Sequence, residues 1–99
     1  MRRGTTPTHT FTPDIDLTGV AVLYVTYKQD SRTIVEKNIN DVTIAENKIQ
    51  VTLTQAETLS FSEARPVEIQ IRLKFSDGAA MASNIIRAPA DRILKDGEI

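Results

Sequence analysis

From position 66 to 75 apolar and polar residues alternate without a break, Val67, Ile69, Ile71, Leu73 and Phe75 being separated by Glu68, Gln70, Arg72 and Lys74. Successive side chains of a strand point to opposite faces, so this pattern predicts a strand with one dry and one wet face. A helix would scatter the same apolar residues around its circumference. Ile49, Val51 and Leu53 alternate in the same way with Lys48, Gln50, Thr52 and Thr54. Val42-Thr43-Ile44 precede them, and Glu46-Asn47 fall where a tight turn is needed, Asn tolerating the left-handed backbone. Residues 42–54 thus read as a β-hairpin.

Residues 20–28, Val20-Ala21-Val22-Leu23-Tyr24-Val25-Thr26-Tyr27-Lys28, are β-branched or aromatic and apolar on both faces near the middle. Such a strand lies centrally or beside a partner. Beyond Gln29-Asp30-Ser31, the stretch Thr33–Lys37 is expected to return antiparallel to it. Ser76-Asp77-Gly78 marks a turn between the 66–75 strand and a weaker strand around 80–87. At Thr54-Gln55-Ala56-Glu57 a helical turn is expected, with Thr54 accepting from the Glu57 amide while the Glu57 side chain reaches back to the Thr54 amide. Leu59 and Phe61 then drop toward the core.

About seven short strands at this spacing, with turns between them, favour an all-β fold: an immunoglobulin-like antiparallel β-sandwich with one short helical turn. The 99 residues are enough for one core only, so a single domain over 1–99 is expected, with an N-terminal edge segment at 1–12 and a loose tail at 95–99. The N-terminal piece Thr8-His9-Thr10-Phe11-Thr12 alternates too. Pro7 and Pro13 bracket it, and because proline cannot donate to a ladder, it belongs at a sheet edge.

Charge and composition narrow the functions. A net charge of −1 gives no field to gather nucleic acid or an anionic membrane, so neither is expected as a partner. There is no cysteine, which excludes disulfides and thiolate metal sites. The N-terminus lacks the apolar run of an export signal, and no stretch approaches the ~20 apolar residues of a membrane span.

Little in the sequence spells chemistry. His9 is the single histidine, and no local spacing supplies it with a nucleophile or an orienting acid. A surface or edge-strand histidine is the plainer reading. Asp14 and Asp16 are better explained as turn and cap residues than as ligands of a hard cation, because the further oxygens of a calcium loop are missing. Glu36, Glu57, Glu63 and Glu68 suit outward faces and turns rather than a glycosidase cleft. No glycine-rich phosphate loop occurs. Arg65, Arg72, Lys74 and Lys48 would make a basic strip if their strands were neighbours. No catalytic residue, metal ligand or cofactor is expected, and the chain is read as a non-enzyme.

Tyr24 and Tyr27 fall on opposite faces of their strand, so at least one ring looks away from the principal core and can serve as a binding anchor. Thr8 and Thr10 on the N-terminal edge, and Ala80 and Ala82 on the 79–88 strand, are the other candidate interaction residues. Alanines there would let another backbone come close.

Three stretches carry a resemblance: Met1-Arg2-Arg3-Gly4-Thr5-Thr6-Pro7-Thr8-His9-Thr10-Phe11, Val51-Thr52-Leu53-Thr54-Gln55-Ala56-Glu57-Thr58-Leu59-Ser60-Phe61 and Val67-Glu68-Ile69-Gln70-Ile71-Arg72. They are similar to small prophage-encoded proteins of gut Firmicutes. More loosely, they resemble the immunoglobulin-like N-terminal modules of phage baseplate upper proteins. The resemblance implies a virion or tail component without a cofactor, made in the bacterial cytoplasm and then built into the particle. Its partners would be other phage structural proteins, with self-association into a homo-oligomer left open. The expected function is a structural or adaptor module, and the alternative is a β-sandwich that binds carbohydrate or another ligand through a tyrosine.

Overall fold

A computed structural model describes residues 1–99. Eight strands and one helix follow the predicted order: β1 (Thr8–Phe11), β2 (Val20–Gln29), β3 (Arg32–Asn38), β4 (Thr43–Ala45), β5 (Lys48–Thr52), α1 (Gln55–Leu59), β6 (Val67–Phe75), β7 (Ala80–Ala82) and β8 (Ile86–Ala88). One antiparallel sheet has the order β1-β5-β4. The other runs β3-β2-β6, with β7 and β8 both paired to β6. The expected all-β sandwich is present; written in immunoglobulin letters, its sheets are B-E-D and C′-C-F-G, without a separate A strand.

The local chemistry follows the pattern. Asp30 and Ser31 between β2 and β3, and Glu46 and Asn47 between β4 and β5, all have positive φ, as two-residue hairpin turns require. Asn47 does more: its side chain accepts from Leu17 N–H at 2.7 Å and donates to Ile15 O at 2.7 Å, fixing the β1–β2 connection to this turn. Thr54 Oγ1 accepts from Glu57 N–H, and the Glu57 carboxylate accepts from Thr54 N–H at 2.8 Å, so the expected capping box starts α1.

Leu23, Val25 and Tyr27 of β2, Ile49 and Val51 of β5, and Val67, Ile69, Ile71 and Leu73 of β6 meet in the core, joined by Leu53 and Phe61. β2 is central, between β3 and β6. Phe75, at the end of the alternation, packs against this core but stays half-buried.

Two expectations are corrected. The strand placed at 79–88 is broken into β7 and β8. At the break, Ser83 N–H donates to Ile71 O at 2.8 Å and Ser83 Oγ accepts from Ile71 N–H at 3.0 Å, a side chain replacing a ladder carbonyl. The N-terminal edge segment is not wholly an edge: Met1–Arg3 lie beside Asp91 in a parallel bridge, with Asp91 N–H on Met1 O at 2.8 Å and Arg3 N–H on Asp91 O at 3.1 Å. The basic strip does not form, because Lys48 belongs to the other sheet and Arg65 pairs with Asp30. Residues 95–99 are exposed, and Ile99 is held to the Gln55 side chain by two hydrogen bonds.

Candidate interaction surface

Tyr24 and Tyr27 separate as their parity demands. Tyr27 is fully buried; its hydroxyl lies 2.8 Å from His9 Nδ1 of the opposite sheet, and its ring tilts against Phe61 at 6.1 Å. Burial, with Glu57 nearby, pushes the phenol pKa far up, while burial, helped by the N-terminal charge, lowers that of His9. The pair is therefore a neutral ring and an un-ionised phenol bridging the two sheets. Tyr27 has no surface to offer a partner, and the anchor role falls to Tyr24 alone.

A histidine whose folded pKa is depressed binds protons more readily in the unfolded chain. Its contribution to stability is complete above the unfolded value of about 6.5 and is lost as pH falls below it. The unfolding midpoint in urea is thus expected to decline between pH 6.5 and 5. In His9→Gln that slope flattens, since no other histidine titrates in the window. An unchanged slope in the variant would separate the decline from this bridge.

Tyr24 stands on the outer face of the five-stranded sheet, 44 % exposed, two residues from Val22 at 41 %. The register sets Tyr24 opposite Arg72 and Arg72 opposite Ala82; in the next row Val22 is opposite Lys74 and Lys74 opposite Ala80. Directly opposed residues of antiparallel neighbours share a face. Three of the sequence-derived candidates, Tyr24, Ala80 and Ala82, thus converge on one surface. An open hollow of about 430 Å³ lies beside Tyr24, lined by Ala80, Arg72 and Lys74 among others. A second hollow of about 430 Å³ continues it toward Thr33 and Gln70, sharing Thr26, Glu36 and Arg72. Val22 escaped notice in the sequence, although the step of two from Tyr24 was the signal for it.

Thr8 and Thr10 lie elsewhere, on β1. Leu53 N–H donates to Pro7 O at 3.0 Å. Continuing that ladder two residues at a time puts the bonded pairs at His9/Val51 and Phe11/Ile49. The amide and carbonyl groups of Thr8 and Thr10 consequently face away from β5, at the free edge. Their outward side chains stay close to the sheet, Thr8 Oγ1 lying 2.9 Å from Thr52 Oγ1.

Several carboxylates are occupied locally. Asp16 accepts from Thr18 N–H at 2.9 Å and Thr18 Oγ1 at 2.7 Å, contacts that lower its pKa. Burial acts to raise the Glu57 pKa, but Lys37 Nζ at 2.7 Å and the Thr54 amide outweigh it, and the net direction is down. Glu68 meets Arg87 at 3.3 Å and Glu36 accepts from Thr26 Oγ1 at 3.3 Å. No group of three or more His, Cys, Asp or Glu side chains is close enough to hold a metal ion. No helix is long and apolar enough to cross a membrane.

Comparison with protein-family models, curated proteins and solved structures finds no match.

Proposed function

We propose that this chain is a non-catalytic structural or adaptor module of a phage or prophage particle. It binds other virion or tail proteins through the outer face of the five-stranded sheet and through exposed strand edges. The phage assignment rests on the resemblance in sequence, and the B-E-D/C′-C-F-G topology is of the kind that resemblance implies. Made in the bacterial cytoplasm, the chain would reach the virion by assembly. Protein binding rests chiefly on one observation: an aromatic anchor, Tyr24, stands exposed beside Val22, with Arg72 next to it and the small residue Ala82 beyond Arg72. Aromatic and arginine side chains at the centre of a patch dominate interface energetics.

The test is co-migration of the purified protein with the products of neighbouring genes. Complex formation with a head or tail component is expected, weakened about 30-fold by Tyr24→Ala, the scale of a ~2 kcal/mol hot spot. A chain that stays monomeric and indifferent to those proteins at high concentration would defeat this reading. The polar hollow next to Tyr24, lined by Thr26, Glu36, Gln70 and Arg72, favours carbohydrate binding as the second reading. A glycan response lost in Tyr24→Ala, without any protein partner, would put it first.

A further inference from the structure

The two sheets are unequal, three strands facing a sheet whose β6 carries an additional edge, β7 and β8. Met81 is registered with Leu73, and Ile86 with Ile69, both core residues, so Met81 and Ile86 point toward the interior. They are nevertheless 46 % and 43 % exposed, because nothing in the shorter sheet covers them. An apolar cleft of about 450 Å³ opens there, floored by Ile49, Ile71 and Leu73. In the immunoglobulin arrangement an A strand beside B occupies this side. Here the N-terminal residues are held at Asp91 instead, and the outer edge of β1, the B strand, is left bare.

We infer that the open side accepts one extended segment of a different protein, which pairs with the free edge of β1 and lays alternate apolar side chains over Met81 and Ile86. This deepens the reading of the chain as a protein-binding module and rests on it. Three features define the occupant. The unpaired amide and carbonyl groups of Thr8 and Thr10 call for a strand backbone, as in strand-addition complexes. The inward positions of Met81 and Ile86 call for side chains of period two. Asp14, the only charged residue lining the cleft, has no cationic partner within the chain, which calls for a basic residue at that end of the donor.

The probe is a nine-residue peptide alternating Val or Ile with Thr and ending in Lys at both termini, titrated into the ¹⁵N-labelled full chain. Saturable binding below millimolar concentration is expected, with amide shifts at Thr8, Thr10, Met81 and Ile86. Thr10→Pro removes an edge donor without breaking a β5 ladder bond. It should abolish binding while the thermal midpoint stays within a few degrees. Asp14→Asn should weaken binding several-fold and flatten its salt dependence. No binding at millimolar peptide, equal binding of a peptide with the apolar residues grouped at one end, a chain dimer, or shifts confined to Tyr24 and its neighbours would each overturn the inference. The partner complex lost in Tyr24→Ala is measured separately, so strand acceptance can fail while the adaptor reading stands.

Discussion

Phe61→Ala is expected to lower the unfolding free energy by about 3–5 kcal/mol, the range for truncating a buried phenylalanine. Phe61 is 2 % exposed and follows α1 directly, so its ring is the chief anchor of the connection between the two sheets. It closes a column of rings: His9 to Tyr27 at 5.7 Å and Tyr27 to Phe61 at 6.1 Å. Removing it leaves a cavity lined on one side by a fully buried tyrosine that cannot shift without losing its bond to His9. A five-residue helix has no stability of its own to resist the loss, since isolated helices shorter than about 12 residues are marginal. Urea unfolding reads the effect as a lower midpoint at unchanged slope. Phe61→Leu, which keeps most of the volume, should cost less than half as much. A cost below about 1.5 kcal/mol for the alanine variant would mean that the site collapses freely.

What the sequence made legible was what period two and turn chemistry determine. The dry face of β6, the β4–β5 hairpin at Glu46-Asn47, the capping box at Thr54 and Glu57 and the opposite orientations of Tyr24 and Tyr27 are all local consequences of residue order. The pairing of sheets is not local. Whether Tyr24 or Tyr27 faced the core depended on the position of β5 and β1, and the sequence offered both as anchors. The break between β7 and β8 was hidden because Ser83 replaces a backbone acceptor with its hydroxyl, which composition does not announce. Met81 and Ile86 read as ordinary inward residues of a weak strand. Their exposure comes from the absence of a strand opposite them, a property of the other sheet. His9 does sit on an edge strand, as read, but its bond to Tyr27 was hidden because that partner lies 18 positions away across the sandwich.

The candidate surfaces differ in how the edges are built. β4 has three residues, β7 and β8 have three each, and the β2–β3 register shifts between Tyr27 and Lys28. Short, interrupted or shifted edges resist casual pairing. β1, bracketed by prolines and only four residues long, is also protected, but it borders the cleft in which Met81 and Ile86 are uncovered. Selective recognition is therefore better served by Tyr24 on the sheet face and by the cleft beside β1 than by the remaining edges.

Gln29→Glu tests how the loop behind that face is held. Gln29 is 5 % exposed; its Nε2 donates to Ser62 O at 2.8 Å and Arg65 O at 3.0 Å, and its Oε1 accepts from Ser62 N–H at 2.8 Å. Glutamate has the same shape, but an ionised carboxylate has no proton to give. It faces two carbonyl oxygens and leaves both without their donor, and a loss of about 3 kcal/mol or more at pH 7 is expected at the usual cost of buried unsatisfied groups. Protonation restores one donor, so the folded pKa of the new carboxyl rises above the unfolded value of about 4.3. The deficit relative to the natural chain then grows as pH rises through that interval and is smallest near pH 4. Urea unfolding at pH 4 and pH 7 reads both terms, and an equal deficit at the two pH values would show that the loop has moved away from the new charge. Because residues 62–65 lead directly into β6, the same substitution should loosen the strand that sets Arg72 opposite Tyr24. Faster amide exchange at the β6 end near Val67 than at Leu73 is the expected sign.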